Sequence, residues 1–285
     1  MIYQTQKLAP GLYFVATPLG AARDITLRAL DILASADLLV AEDTRALRKL
    51  MEIHGIPLGN RPIWSYHDHS GDGARDGILR AAQEGQVVAY ASEAGTPLIA
   101  DPGYELVSAA RAQDILVIAA PGPSAVVTAL TVAGLPTDRF LFLGFTPSNS
   151  TGRRKVLEEV KQTQASLVFY ESPKRVGAFF TDAAQVLGGA RRAVLCRELT
   201  KKFEEVNAGT LEALAAHYAE TGPRGECVIV IDRADSPIVH LEDLESDLRS
   251  LMQTHKVKDA AAMLSEAHGL SKRDIYQFAL SLRDT

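Results

Sequence analysis

An acidic, glycine-containing segment follows an apolar run near residue 90 and has the clearest potential for ligand chemistry in the chain. The run Val87–Ala91 leads directly into residues 92–103, SEAGTPLIADPG, which contain no Lys or Arg. Open α/β sheets hold ligands just outside the carboxyl ends of their strands. Loops that cradle phosphates are rich in glycine and often carry a Lys, so this acidic loop favours a neutral or cationic ligand. An ordinary turn punctuated by Gly and Pro is the alternative interpretation.

A second group of reactive side chains, Glu42-Asp43-Thr44-Arg45, follows the apolar run Leu38–Ala41. A carboxylate here can orient a hydroxyl or accept its proton, an action that typically accelerates a reaction about 10²–10⁴-fold. The alternative is a helix start in which Asp43 caps the backbone N–H groups. The sequence leaves both interpretations open.

Residues 67–69, His-Asp-His, have the composition of a metal-binding pair. Catalytic metal sites usually have three protein ligands, and no third ligand stands at a recognisable spacing. A hydrogen-bonded loop without metal is therefore expected. Cys196 and Cys227 each lie in an apolar strand-like run, which predicts core thiols rather than a disulfide or a zinc site.

Positive charge is concentrated in the second half of the chain although the formal net charge of the whole is −5. Residues 146–202 contain eleven Lys and Arg against five Asp and Glu, a local net charge of +6. Two strand-like runs in this region end in cations, at Tyr170-Glu171-Ser172-Pro173-Lys174-Arg175 and at Arg197-Glu198-Leu199-Thr200-Lys201-Lys202. Cations beside an aromatic ring suit RNA phosphates and bases. Ordinary solvated strand ends are the alternative.

The elements that must position these groups alternate regularly in the first half of the chain. Strands are predicted over 12–16, 38–41, 87–91 and 115–120, and helices over 27–35, 75–84, 105–113 and 125–133. This alternation, with continuous apolar strands, predicts a parallel sheet covered on both faces. The loops at 17–20, 42–45, 92–103 and 121–125 would then lie along one edge of the sheet.

Beyond residue 138 the pattern changes, and three domains are expected: an α/β domain with a parallel sheet over 1–138, a second α/β domain with a mixed sheet over 139–235, and a small helical domain over 236–285. Strands are predicted over 140–145, 167–170, 193–196 and 227–231, with a polar loop at 146–152. From about Leu241 the apolar residues have helical spacing, and Ser271 is a candidate N-cap in a faintly helix-turn-helix-like unit.

The composition is that of a globular protein, with 285 residues, 47% hydrophobic and 23% charged. No apolar run approaches the roughly 20 residues of a membrane helix, and the amino terminus lacks the apolar core of a signal peptide. A cytoplasmic location is expected.

Several of these segments together resemble one known family. Over nearly the whole chain and in the same order, the sequence is similar to ribosomal RNA small subunit methyltransferase I, a family within the tetrapyrrole methylase superfamily. The matching segments are residues 11–20, 24–30, 41–45, 94–97, 101–103, 121–123, 170–172 and 197–201. The resemblance implies two α/β domains of the tetrapyrrole methylase type, plus the small helical carboxyl-terminal unit.

The resemblance also implies an activity, namely transfer of a methyl group from S-adenosyl-L-methionine to the ribose 2′-hydroxyl of a cytidine. The acceptor would lie in the decoding centre of 16S rRNA within the small ribosomal subunit, and the enzyme would be a homodimer that holds its cofactor in a cleft between the α/β domains. The acidic loop suits the sulfonium and ammonium of this cofactor, and the basic segment suits RNA.

Three sets of site residues follow. Cofactor contacts are expected from Pro18, Gly20, Glu93, Ala94, Gly95, Thr96, Pro121, Gly122, Ser124 and Ala125. RNA contacts are expected from Arg153, Arg154, Lys174, Arg175, Lys201 and Lys202. For the chemistry, Glu42 or Asp43 would orient or deprotonate the 2′-hydroxyl and Arg45 would hold the adjacent phosphate, with Lys201 as the alternative base.

Two residues depart from the family pattern, since the family usually has Asn at the position of Ala21 and Asp at that of Glu93. Both lie in loops expected to face the cofactor. An RNA-binding protein that has lost catalysis is therefore one alternative function. A small-molecule methylase acting on a corrin or porphyrin precursor is another, although the loop 17–21, Thr-Pro-Leu-Gly-Ala, differs from the Gly-rich loop ending in Gly-Asp of those enzymes.

Overall fold

Two compact units make up the computed structural model, Met1–Ala234 and Asp235–Thr285. The structure describes residues 2–67, 70–100, 103–235, 244–268 and 270–282. The larger unit contains two five-stranded sheets with helices, an α/β architecture. The boundary expected near residue 138 falls between the strands of these two sheets and remains a prediction.

The first sheet is parallel, as the sequence predicts. Its strands are β1 (Gly11–Val15), β2 (Leu38–Ala41), β3 (Ile63–Ser65), β4 (Val87–Ala91) and β5 (Val117–Ala120). They lie in the order β3-β2-β4-β1-β5, and every neighbouring pair is parallel. The carboxyl ends of β1, β2, β4 and β5 therefore share one edge.

Helices cover both faces of the first sheet because its central strands are apolar on both sides. The helices are α1 (Leu27–Ser35), α2 (Thr44–Ile53), α3 (Asp72–Gln83) and α4 (Tyr104–Ala112). Along β1, Tyr13 and Val15 pack with α1 and α2, whereas Leu12 and Phe14 pack with α3 and α4. This period-two alternation assigns α2 to one face and α3 and α4 to the other.

The second sheet is mixed, also as predicted. Its strands are β6 (Phe140–Phe145), β7 (Ser166–Glu171), β8 (Arg192–Arg197), β9 (Glu205–Thr210) and β10 (Cys227–Ile231). They lie in the order β6-β7-β10-β8-β9; β6 and β7 are parallel and the other neighbours antiparallel. Its helices are α5 (Ala125–Ala133), α6 (Ser150–Glu159), α7 (Val176–Leu187) and α8 (Leu211–His217).

The second sheet also has a core on each face. Val126, Ala129 and Leu130 of α5 pack against Val168 and its neighbours on one face. The other face packs against α7 and α8, with Phe179 and Leu214 fully or almost fully buried. In the sequence, α5 lies between the strands of the two sheets, but it packs against the second sheet.

One predicted loop is partly wrong. Residues 146–152 were expected to be irregular, but α6 begins at Ser150. Asn149 is its N-cap, because the side-chain oxygen accepts a hydrogen bond from the Gly152 N–H at 2.7 Å. An Asn in a polar, turn-rich stretch is equally typical of a loop and of a helix start.

Both cysteines are buried free thiols, as predicted. Burial raises the pKa of each thiol to about 12. They therefore remain protonated at neutral pH.

The smaller unit contains α9 (Glu245–Met252), α10 (Val257–His268) and α11 (Lys272–Ser281) in its described residues. Leu248, Leu264 and Ile275 lie in its own hydrophobic core, at positions that the helical spacing predicts. Ser271 is confirmed as the N-cap of α11 and accepts from the Asp274 N–H at 3.4 Å.

Candidate functional site

A cavity of about 740 Å³ lies between the two sheets within the larger unit. One wall consists of the loops after β1, β2 and β4, together with α2 and the start of α5. The opposite wall consists of the ends of β6 and β7 and the start of β10. Since β10 runs antiparallel to β7, its first residues meet the last residues of β7 at the same edge. The cavity is thus at the strand ends that the sequence indicates.

Hydrogen bonds join the loops after β1, β4 and β5 to one another. Thr17 and Gly95 exchange backbone hydrogen bonds of 2.9 and 3.0 Å. The Thr96 hydroxyl donates to the Pro123 carbonyl at 2.8 Å, and the Ser92 hydroxyl donates to the Gly95 carbonyl at 2.7 Å. Gly95 has a φ of +80°, which a residue with a side chain adopts only at a cost. These contacts fix the loops of this wall relative to one another.

Most of the predicted cofactor residues line this cavity: Pro18, Gly20, Glu93, Ala94, Gly95, Thr96, Ser124 and Ala125. Pro121 and Gly122 are not among the described lining residues. Gly122 lines a separate, smaller pocket, and a Cβ there would lie 2.9 Å from the Ala16 Cβ. Because Gly122 has no side chain, its loop can lie close to Ala16 in the loop after β1. Of the matching segment 101–103, Asp101 and Pro102 lie outside the described residues.

Glu42 is the member of the predicted catalytic group that lines the cavity. Its Oε2 accepts a hydrogen bond from the Glu93 backbone N–H at 3.1 Å. This contact connects the loop after β2 with the loop after β4.

Asp43 and Arg45 bind each other instead. Asp43 caps α2 by accepting from the Arg45 backbone N–H at 2.8 Å, and its two oxygens also accept from the Arg45 Nε and Nη2 at 3.1 and 2.9 Å. These hydrogen bonds lower the Asp43 pKa to about 2. Asp43 is therefore a weak proton acceptor at neutral pH, and the helix-start interpretation describes its contacts.

Lys201 lies on a turn of the second sheet that touches the first loop. Its Nζ pairs with Glu198 at 3.0 Å and with Glu226 at 2.9 Å. Partial burial lowers the Lys201 pKa, but hydrogen bonds to Glu226 and Glu198 raise it by more, so the amine stays protonated at neutral pH. A Cβ on Gly20 would lie 2.2 Å from the Lys201 Cγ.

The neighbouring residue Thr200 makes a second contact across the two sheets. Its hydroxyl oxygen accepts from the Ala21 backbone N–H at 3.1 Å. Thr200 has a φ of +65° and Glu198 of +50°, so the turn holds two non-glycine residues in left-handed conformations. Because Ala21 contributes its backbone N–H, this contact does not depend on the side chain at position 21.

Arg153 was expected on an RNA-binding surface, but the structure buries it. The residue is 3% exposed, and its Nε and Nη2 bind the Asp182 Oδ2 at 2.8 and 2.7 Å. A buried guanidinium needs a carboxylate partner, and Asp182 satisfies it. Arg153 therefore has a structural role.

The other predicted RNA residues differ in exposure. Lys174 and Lys202 are exposed, and the Lys202 ammonium lies 5.4 Å from the ring centre of Phe203. The Arg154 side chain is 45% exposed and binds Asp182. Arg175 is partly buried against Glu171.

Glu171 lines the cavity, although the sequence analysis gives it no role in the site. It is buried and lines the cavity at the end of β7. Its carboxylate accepts from the Thr146 hydroxyl at 2.8 Å, the Ser172 N–H at 2.7 Å and the Arg175 Nε at 2.6 Å. Its position between an aromatic residue and cations at a strand end is the sequence feature that could have identified it.

Carboxylates predominate over cations in the described lining of the cavity. Glu42, Glu93, Glu171 and Glu226 line it, against the single cation Lys49. Glu171 pairs with Arg175 and Glu226 with Lys201, so the excess of negative charge comes from Glu42 and Glu93. The cavity therefore favours a ligand that carries positive charge.

Neither a metal cluster nor a membrane helix is found in the described part of the chain. No group of three His, Cys, Asp or Glu side chains there is placed to hold a metal ion. His67 is described, whereas Asp68 and His69 lie outside the described residues. No described helix is long and apolar enough to cross a bilayer.

Comparison with known proteins gives two family matches. The family model Tetrapyrrole (Corrin/Porphyrin) Methylases matches residues 11–215, and the model of the RsmI C-terminal HTH domain matches residues 240–283. The ribosomal RNA small subunit methyltransferase I of Mesorhizobium japonicum is 43% identical to this chain over 290 residues, 100% of this chain and 98% of the relative. The same-named protein of Escherichia coli O157:H7 is 42% identical over 275 residues, 94% of each chain.

Solved structures share the fold at lower identity. Uroporphyrin-III C-methyltransferase from Thermus thermophilus, in complex with S-adenyl homocysteine, superposes with a TM-score of 0.56. The identity is 19%, and the match covers 79% of this chain and 98% of that one. This likeness shows a common fold.

Proposed function

The chain belongs to the ribosomal RNA small subunit methyltransferase I family, and from that membership we propose that it methylates 16S rRNA with S-adenosylmethionine as the methyl donor. The acceptor is the ribose 2′-hydroxyl of a cytidine in the decoding centre of the small subunit. The observation that carries the proposal is identity of more than 40% over essentially the full length of two relatives with this name.

The cavity fits this cofactor. Its volume of about 740 Å³ lies within the roughly 300–1,000 Å³ usual for small-molecule sites. The excess of carboxylates suits the sulfonium and ammonium groups, and apolar residues such as Leu19 and Val228 suit the adenosine. Gly20, Glu93, Gly95, Thr96 and Ser124 would hold it. When bound, S-adenosylmethionine supplies a methyl group that is activated for transfer to an oxygen nucleophile.

The residues of the chain must then position the ribose hydroxyl and take its proton. Glu42 is the best candidate, because it lines the cavity and its carboxylate is already oriented by the Glu93 N–H. Asp43 is less suited because its pKa is lowered to about 2 by Arg45. Lys201 is protonated and serves instead to hold Glu198 and Glu226 near the first loop.

Arg45 remains available for a phosphate contact. Its side chain is 89% exposed, and the Asp43 carboxylate takes the Nε and Nη2 edge of the guanidinium. A guanidinium has five N–H donors, so others can bind a phosphate of the acceptor strand. The exposed Lys174 and Lys202 would add charge on the second sheet, whereas Arg154 and Arg175 are paired with Asp182 and Glu171.

A homodimer and a cytoplasmic location are part of the proposal. Phe140 and Leu141 on the edge strand β6 are 47% and 37% exposed, and Val127 on α5 is 56% exposed. Apolar surface of this kind is typical of an interface with a second copy. Light scattering of the purified chain would give twice the chain mass of 30.7 kDa if the proposal holds.

The test is methyl transfer itself. Small subunits from cells that lack the protein, incubated with the pure chain and S-adenosylmethionine, should gain one methyl group on a cytidine ribose, detected by mass spectrometry of the 16S rRNA. Transfer to a porphyrin precursor but not to rRNA would instead establish the small-molecule alternative. Cofactor binding without any transfer would establish the inactive RNA-binding alternative.

A further inference from the structure

Helix α2 presents three distinct sets of side chains. Leu47 and Met51 are buried against the first sheet. Lys49, Leu50 and Ile53 line the cavity. The remaining exposed positions include two arginines, Arg45 and Arg48.

The basic side chains of α2 form one continuous exposed surface. Arg45, Arg48 and Lys49 stand at positions i, i+3 and i+4, which are neighbours on a helix. Within the described ranges, Arg48 has no carboxylate at ion-pair distance. Lys49 pairs with Glu52, but both side chains are more than 60% exposed, so the pair is weak and exchangeable.

The basic segment 146–202, by contrast, is largely neutralised. Seven of its eleven cations pair with carboxylates, namely Arg153, Arg154, Lys161, Arg175, Arg192, Arg197 and Lys201. The local charge of +6 therefore overstates the cations available to a polyanion. The cations of α2 were outside that segment, yet they lie directly beside the cavity.

Apolar side chains line the cavity next to Lys49. Ile53 is 52% exposed although it lines the cavity, and Leu50 is partly exposed beside it. A ribose hydroxyl that enters the cavity brings its base and sugar past this rim. Apolar contact there and cations farther out match the chemistry of one unstacked nucleoside and its flanking phosphates.

We propose that α2 binds the single-stranded RNA next to the acceptor nucleotide, with Arg48 and Lys49 on its phosphates and Ile53 against the acceptor nucleoside. This inference rests on the proposed rRNA methylation and names a second RNA-binding surface for it. On the opposite wall, Pro173 lines the cavity and is followed in sequence by the exposed Lys174. A single strand that enters the cavity would be held from both sides.

The experiment compares full-length double variants that differ in where two charges are lost. R48Q/K49Q removes them from α2, and R80Q/R111Q removes two exposed charges from α3 and α4 on the other face of the first sheet. R48K/K49R keeps the charge. For each chain, binding to a 20-nucleotide single-stranded RNA is measured against salt, KM is measured with small subunits, and cofactor affinity is measured by calorimetry.

R48Q/K49Q should raise KM for small subunits at least fivefold and reduce the slope of log K against log salt by about 1.4, as expected for two lost contacts to single-stranded RNA. R80Q/R111Q should match the wild type in KM, salt slope and cofactor affinity. R48K/K49R should keep the wild-type salt slope because its charge is unchanged. The cofactor affinity of R48Q/K49Q should not fall, because Lys49 is the single cation in the described lining and the cofactor is cationic.

Two results would overturn the inference, and a third is distinguishable from both. Equal KM and salt slope for R48Q/K49Q and R80Q/R111Q would show that α2 has no RNA contact. Equal competition by a duplex of the same sequence would show that the surface does not select a single strand. If the wild-type chain itself binds cofactor but methylates no small subunits, the proposed function fails and this inference fails with it.

Discussion

At the scale of single residues, Glu42 and Asp43 are adjacent in sequence but have different surroundings. Glu42 faces the cavity and Asp43 caps α2. Glu42→Gln keeps an oxygen for the Glu93 N–H and removes the proton acceptor, so methyl transfer should fall about 10²-fold or more with cofactor affinity retained. Asp43→Asn keeps an efficient N-cap and should retain most activity. Single-turnover rates of the two variants would test this. A larger loss in Asp43→Asn than in Glu42→Gln would identify Asp43 as the proton acceptor.

The Asp43 carboxyl also gives a prediction on pH. Its pKa is lowered from 3.8 to about 2 by hydrogen bonds to Arg45. Because the pKa of this carboxyl is lower in the folded state than in the unfolded state, the ionised group stabilises the fold above about pH 4. This contribution is lost as the pH falls towards 2. In Arg45→Ala the carboxyl pKa should rise towards its ordinary value, as NMR titration would show. An unchanged pKa would mean that the backbone hydrogen bonds alone lower it.

At the scale of helices, Gly177 in α7 permits a close approach to the end of α8. A Cβ at Gly177 would lie 2.3 Å from the Tyr218 carbonyl oxygen, which is backbone and cannot easily move. Gly177→Ala should therefore cost about 1–3 kcal/mol of unfolding free energy. Gly77→Ala in α3 is the control: its Cβ would meet Trp64 at an ordinary 3.6 Å, and it should stabilise by about 0.5–1 kcal/mol. Urea unfolding measures both, and equal effects would contradict the packing argument.

The sequence predicts elements well where a strand is buried on both faces. Leu38–Ala41, Val87–Ala91 and Cys227–Ile231 have the predicted bounds because each is a continuous apolar run. The sequence does not predict the edge strands Ile63–Ser65 and Glu205–Thr210, since they are partly or fully exposed and carry little apolar pattern.

The site was predictable to the level of its loops but not of its ion pairs. Residues 17–20, 42 and 93–96 were placed at one sheet edge by the alternation of strands and helices. The burial of Arg153 depends on its partner Asp182, 29 residues away in the sequence. The burial of Glu171 depends on Thr146, 25 residues away. Such pairings arise from tertiary contacts, which local patterns do not encode.

At the scale of the whole molecule, the cavity belongs entirely to the larger unit, because its described lining runs from Thr17 to Val228. A chain shortened to residues 1–235 should therefore keep its affinity for S-adenosylmethionine within about twofold, a difference of roughly 0.4 kcal/mol. Calorimetry on the short and full chains tests this. Loss of affinity in a short chain that unfolds cooperatively would show that the smaller unit takes part in cofactor binding.

The contact between Ala21 and Thr200 joins residues that are 179 positions apart. During synthesis the first sheet leaves the ribosome well before Thr200 and the strand Cys227–Ile231, and domains generally fold as units from the amino terminus. A nascent chain therefore carries one wall of the cavity, complete at Ala125, before the other is completed at Val228. Since a ligand stabilises only the state that binds it, the cofactor favours a chain that has completed the strand Cys227–Ile231 over intermediates that end before it.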